Sequence, residues 1–220
     1  MRKESRRVRR RKKQNIENYA KNWLLGFFLF AAVLLVKSGA ASISSIITDG
    51  APAGIFLKNY IIEGFSLIVA LAVIRRFKLV DFKAKADVST LVLGVLALLA
   101  CQMIGSLFGE SEDDDLFLLI ESYKLIAFLA IVVLAPVAEE LFFRGMLYNL
   151  LWKDNNFTLL PILVSSLMFA ITHTGLPTQI YGFFAGIVYA RIYEESGSIW
   201  NSVACHGLIN LIVLCVQIFL

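Results

Sequence analysis

Seven apolar runs dominate this 220-residue chain, at about Trp23 to Ile47, Tyr60 to Ile74, Val88 to Phe108, Leu116 to Val137, Phe157 to Ile171, Ile180 to Tyr193 and Ile199 to Leu220. A helix needs roughly 20 mostly apolar residues to cross a hydrocarbon layer of about 30 Å, and these runs are of that order. Soluble domains are about 45–50% apolar and 25% charged. This chain is 58% hydrophobic and 17% charged, with a mean hydropathy of +0.73. A soluble globule of this size cannot hide so much apolar surface. The composition therefore excludes a water-soluble enzyme, a disulfide scaffold and a disordered protein. It predicts an all-α, polytopic membrane helical bundle of about seven to eight spans.

Charge gives the bundle an orientation. The net charge of +4 is concentrated in a tail holding Arg2, Lys3, Arg6, Arg7, Arg9, Arg10, Arg11, Lys12 and Lys13. A basic run ahead of an apolar helix marks a cytoplasmic end and attracts anionic lipid, so nucleic acid is not expected as a partner. The first apolar run is too long for a cleaved signal peptide and is followed by further spans; it reads as a retained anchor. Arg75, Arg76, Lys78, Lys83 and Lys85 make the loop after the second run basic, whereas Gly109 to Asp115 after the third is acidic. The positive-inside rule puts the first loop in the cytoplasm and the second outside. The chain divides into a basic cytoplasmic tail, 1–18, and an integral membrane domain, 19–220. The short chain and simple architecture point to a bacterial cell-membrane protein.

Cys101, Cys205 and Cys215 sit inside apolar runs without CxxC spacing and read as small buried hydrophobes. Gly105-x-x-x-Gly109 and Gly182-x-x-x-Gly186 match a helix-packing pattern rather than a functional one.

Ionisable side chains inside an apolar bundle are costly and mark sites or internal ion pairs. Three clusters stand out in the second half. Glu139-Glu140-x-x-x-Arg144 follows Pro136, whose missing N–H and fixed φ predict a break or bend. Glu140 stands four residues ahead of Arg144, the favourable ion-pair orientation on a helix. Phe169-x-x-x-His173 and His206-x-x-x-Asn210 hold the two histidines of the chain, each with a second aromatic or polar group on the same helix face. Two histidines and a glutamate suit a metal with an open position for water. Equally, Glu139 with His173 suits a metal-free general base, with His206 and Asn210 donating to an oxyanion. Neither HExxH nor Gly-x-Ser-x-Gly is present, which argues against a standard zincin and a serine hydrolase elbow.

In this order, and with the lead-in Ala135-Pro136-Val137-Ala138, the three motifs closely resemble the CPBP intramembrane protease family. That family includes the type II CAAX prenyl endopeptidases and the Abi-type bacteriocin self-immunity proteins. The resemblance covers about Leu134 to Leu214, within a motif-bearing core of about 116–220. It implies a helical membrane core with a polar cavity and endopeptidase activity on a membrane-associated peptide or protein, either CAAX-type or a bacteriocin or regulatory peptide. Carried over by residue, Glu139 activates water and Glu140 pairs with Arg144. His173 helps bind or activate the water, and His206 and Asn210 bind a metal or stabilise the oxyanion. Phe169 forms a cavity wall against the substrate. If a metal is used, zinc or another divalent ion, its ligands are Glu139, His173 and His206; a metal-free glutamate mechanism is the alternative.

Two other classes compete. A non-catalytic immunity or scaffold protein would need none of this chemistry, and a proton-coupled transporter would use Glu and His as relays. Strict alternation of straight spans would put Glu139, His173 and His206 at different depths. The active-site reading therefore requires bent or short helices, with Glu139 to Trp152 entering the bilayer as an eighth partial span.

Overall fold

The computed structural model describes residues 2–48, 52–109, 122–152 and 159–219. The acidic segment Glu110 to Asp115 and the expected run starts at Leu116 and Phe157 lie outside the described residues. The helices are α1 (Arg2–Thr48), α2 (Pro52–Phe77), α3 (Val88–Ser106), α4 (Lys124–Trp152), α5 (Leu159–Ile171), α6 (Leu176–Ser196) and α7 (Ile199–Phe219). No strand occurs among the described residues. Glu17–Ile47 of α1, Leu57–Phe77 of α2, α3, α4 and Ile199–Ile218 of α7 are each long and apolar enough to cross a membrane. The all-α membrane bundle is as the apolar runs predict.

The remaining two runs differ from full spans. Helix α5 has 13 residues, about 20 Å at 1.5 Å per residue, well short of the hydrocarbon thickness. Helix α6 has 21 residues but carries Thr178, Gln179, Arg191, Glu194 and Glu195 near its ends. Arg191 pairs with Glu194 at 2.5 Å and Glu195 at 2.9 Å, so that end is polar and solvated. The basic tail is not a separate segment in backbone terms, because α1 runs on from Arg2.

The expectation for Pro136 needs correction. Pro136 neither breaks the chain nor opens a partial span; Glu139 to Trp152 is the second half of the continuous α4. The helix absorbs the proline by widening to π geometry over Leu129–Leu134, returning to α over Ala135–Glu140, and widening again over Leu141–Tyr148. The Ala135 N–H reaches back to the Ala130 carbonyl. The next donor in that register would be Pro136, which has none, and the Ile131 carbonyl instead accepts from Asn210 Nδ2 of α7 at 2.9 Å. A neighbouring helix has re-satisfied the backbone group that the proline orphaned.

Between helices in lipid, close packing replaces the hydrophobic effect as the driving force, and small residues permit it. On α6, a Cβ at Gly186 would lie 2.8 Å from Ser166 Cβ of α5, and one at Gly182 would lie 3.4 Å from Ala170 Cα. The Gly182-x-x-x-Gly186 stripe is thus a packing seam. Only the first glycine of the other stripe behaves so: a Cβ at Gly105 would lie 3.0 Å from Tyr181 Cβ, while Gly109 lies beyond α3 with φ +117°. On α7, a Cβ at Gly207 would meet the Val132 carbonyl at 2.7 Å, so α7 rides on the first widened stretch of α4. Cys101 and Cys205 are buried and Cys215 is exposed.

The loop between α2 and α3 is fastened to the start of α7. Asp87 and Asn201 exchange two hydrogen bonds of 2.9 Å, Ser198 Oγ donates to the Ala84 carbonyl at 3.0 Å, and Trp200 Nε1 donates to the Phe82 carbonyl at 3.0 Å. Asp87 also caps α3, accepting from the Thr90 N–H at 2.8 Å and Ser89 Oγ at 2.7 Å.

Candidate active site

Glu139 and Glu140 end the α-helical stretch of α4, and Arg144 lies in the widened turn that follows. Glu140 and Arg144 are fully buried. Arg144 Nη1 donates to Glu140 Oε1 at 2.9 Å, the i, i+4 pair expected, and Nη2 donates to the Gly186 carbonyl of α6 at 3.0 Å. The guanidinium also lies over two rings, 4.6 Å from the Phe169 centroid and 5.0 Å from that of Tyr189. A buried charge requires this density of partners to be tolerated.

His206 of α7 completes the cluster. Its Nδ1 is 3.0 Å from Glu140 Oε1, and its Nε2 is 3.8 Å from Glu139 Oε2. Because a carboxylate only accepts, Nδ1 carries the proton toward Glu140 and Nε2 is left facing Glu139. That second separation exceeds a direct hydrogen bond and suits a bridging water. The imidazole stacks on Tyr189 at 4.7 Å with 21° between planes. Among the described residues, Glu139 Oε2 and Glu140 Oε2 are buried oxygens without a hydrogen-bond partner.

The shortness of α5 brings His173 in. The helix ends at Ile171, and His173 sits in the turn before α6. Its Nδ1 donates to the Phe169 carbonyl at 3.0 Å, leaving Nε2 as the free ring nitrogen, and Gln179 Nε2 donates to the His173 carbonyl at 3.0 Å. Phe169, 1% exposed, separates and supports the histidines, with its centroid 4.7 Å from that of His173 and 6.0 Å from that of His206. Glu139, His173 and His206 therefore belong to one neighbourhood, within electrostatic reach of one another. Asn210 faces the Ile131 carbonyl one turn further along α7.

His206 Nδ1 and His173 Nδ1 are each committed to an oxygen. Among the described residues no group of three His, Cys, Asp or Glu is disposed to hold a metal ion. The Nε2 atoms of both histidines remain free of hydrogen bonds among the described residues, that of His206 facing Glu139.

Three polar groups near the site were not singled out from the sequence. Lys37 of α1 donates from Nζ to the Thr172 carbonyl. Glu63 of α2 interacts electrostatically with Glu139 and Lys37. Tyr189 is the fully buried ring between Arg144 and His206. Lys37 and Glu63 had a readable signal, since each is a charge inside an apolar run. Tyr189 had none.

Residues 121–212 match the family profile described as "Type II CAAX prenyl endopeptidase Rce1-like", a stretch containing every motif residue above. Among curated proteins, "Putative membrane peptidase YdiL" of Bacillus subtilis (strain 168) is 28% identical over 110 residues, 50% of this chain and 44% of that protein. "UPF0177 protein YbdJ" of Lactococcus lactis subsp. lactis (strain IL1403) is 38% identical over 88 residues, 38% of this chain and 36% of that protein. "UPF0177 protein in abiGi 5'region" of Lactococcus lactis subsp. cremoris is 26% identical over 130 residues, 57% of this chain and 54% of that protein. The matched stretches thus span about a third to a half of these relatives. No solved structure matches the chain. Apolar spans and relatives together make this a multi-pass membrane protein, and over residues 121–212 the chain is similar to the Rce1-like, type II CAAX prenyl endopeptidase family.

Proposed function

We propose that this protein is an intramembrane endopeptidase that hydrolyses a peptide bond of a membrane-associated substrate, with Glu139 as the base that activates water. The observation that carries the reading is the unpartnered Glu139 Oε2, 3.8 Å from His206 Nε2, beside Glu140 Oε1, which already accepts from Arg144 and His206. Water between the two groups gives its proton to Glu139 as its oxygen adds to the scissile carbonyl carbon. The C–N bond then breaks, and the proton passes from Glu139 to the leaving amine. Glu140 and Arg144 hold the orientation of His206, and His173 offers Nε2 to the same water or to the carbonyl oxygen. No step passes through a metal.

The substrate is a CAAX-type C-terminus or a bacteriocin or regulatory peptide at the bilayer, and the basic tail lies in the cytoplasm of a bacterial cell. Purified wild type and Glu139→Gln, incubated with prenylated and unmodified hydrophobic peptides and read by mass spectrometry, test this. Cleavage by the wild type alone is expected. Equal cleavage by both would remove Glu139 from the role, and membrane protection that survives Glu139→Gln without any cleavage would favour a non-catalytic immunity protein.

A further inference from the structure

The family match begins at residue 121, yet charges from helices α1 and α2 reach the site. Lys37 lies inside the apolar span Glu17–Ile47 and Glu63 inside Leu57–Phe77. The Lys37 ammonium is hydrogen-bonded to the carbonyl of Thr172, the residue before His173. It also interacts electrostatically with Glu139 and Glu63, and with the like charge of Lys58. Glu63 Oε2 is a buried oxygen without a hydrogen-bond partner among the described residues, as is Glu139 Oε2. Helix α2 packs directly on the Ala135–Glu140 stretch that carries Glu139. A cation and two carboxylates from three helices thus share one buried region.

We infer that Lys37 and Glu63 are positioning residues of the site, forming with Glu139 an intramembrane ion cluster that ties the first half of the chain to the water-activating carboxylate. This rests on the endopeptidase reading for its consequence in rate, but not for the cluster itself. A lone ammonium in an apolar span is strongly disfavoured and is retained where it has partners. Here its hydrogen-bond partner is the backbone next to His173 and the base lies within electrostatic range, so one side chain relates the two halves of the site. Glu63 adds a second carboxylate to the electrostatic surroundings of Lys37 and Glu139.

The test uses the full chain in detergent with Lys37→Met, Lys37→Arg, Glu63→Gln, Glu139→Gln and the double variant Lys37→Met/Glu139→Gln. Thermal melts read the coupling without any substrate. The Tm shifts of Lys37→Met and Glu139→Gln are expected to be non-additive by roughly 2–4 °C in the double variant. With the peptide mixture above, Lys37→Met and Glu63→Gln should lower kcat roughly 10- to 100-fold with KM within about twofold, and Lys37→Arg should restore most of it. Additive Tm shifts would overturn the cluster, and so would a kcat unchanged in Lys37→Met. If Lys37→Met does not fold, Glu63→Gln and Lys37→Arg carry the same comparison. A wild type that cleaves nothing would remove the endopeptidase reading, while the melts still decide whether Lys37 and Glu139 are coupled.

Discussion

One oxygen, Glu140 Oε1, accepts from both Arg144 Nη1 at 2.9 Å and His206 Nδ1 at 3.0 Å. Helix α7 and the widened turn of α4 thus meet at a single buried atom. Removing one partner leaves an uncompensated charge in an apolar setting, which costs about 3–5 kcal/mol. Arg144→Met should therefore destabilise the protein by that amount in a denaturant titration. The double variant Glu140→Leu/Arg144→Met should recover much of the loss in stability while remaining inactive.

Close approach of α5 and α6 predicts a contrast among glycines. Gly186→Ala would drive a Cβ to within 2.9 Å of Ser166 Cα, and overpacking of this kind costs about 1–3 kcal/mol. It would also displace the carbonyl that holds Arg144. Gly39→Ala, with nothing within 4 Å of the added carbon, should be neutral or stabilising by up to about 1 kcal/mol, because alanine is the better helix former. Parallel melts of the two variants check the difference.

The all-α membrane bundle was legible in the sequence because apolar runs of spanning length admit few other solutions. The candidate site residues stand out in the sequence because charges and histidines inside those runs are conspicuous. What the sequence did not show was how α4 would treat Pro136. A missing N–H predicts a break from local rules alone, whereas Asn210, more than 70 residues away, supplies the donor that lets the helix continue. Similarly, the apparent mismatch in depth of His173 followed from treating Phe157 to Ile171 as a full span. In the structure α5 has 13 residues and His173 stands in the turn that follows it. Lys37 and Glu63 obeyed the same rule as Glu139 but stood alone in their runs, without a spaced motif to draw attention to them.

Asn210 gives a test of the proline repair. Asn210→Leu leaves the Ile131 carbonyl without a donor, at a cost of about 1–3 kcal/mol. Pro136→Ala restores a backbone N–H in the register that reaches Ile131. The double variant should lose less stability than the two single losses added together, as measured by chemical unfolding in detergent.

Asp87, at the exposed start of α3, is held well below the usual carboxylate range, to about 2, by hydrogen bonds from the Thr90 and Ser89 hydroxyls and the Thr90 N–H. A carboxylate whose pKa is depressed on folding contributes stability above its unfolded value near 3.9, lost as pH falls toward the folded value. Between about pH 4 and pH 2 the wild type should lose more stability than Asp87→Asn. Melts in an acid-stable detergent read this difference directly.

On the proposed route, in which Glu139 and His206 share the water, hydrolysis is expected to persist within about twofold after treatment with a chelator, an interaction of less than about 0.5 kcal/mol at the transition state. Cleavage rates before and after chelation, with divalent ions added back, measure it.

The central claim is that Glu139 activates water opposite His206. The most direct measurement is the single-turnover cleavage rate of a membrane peptide by wild type and Glu139→Gln, with equal folding confirmed by melts. The account predicts a loss of about 10²–10⁴-fold in the variant. A Glu139→Gln protein that cleaves at the wild-type rate would contradict it.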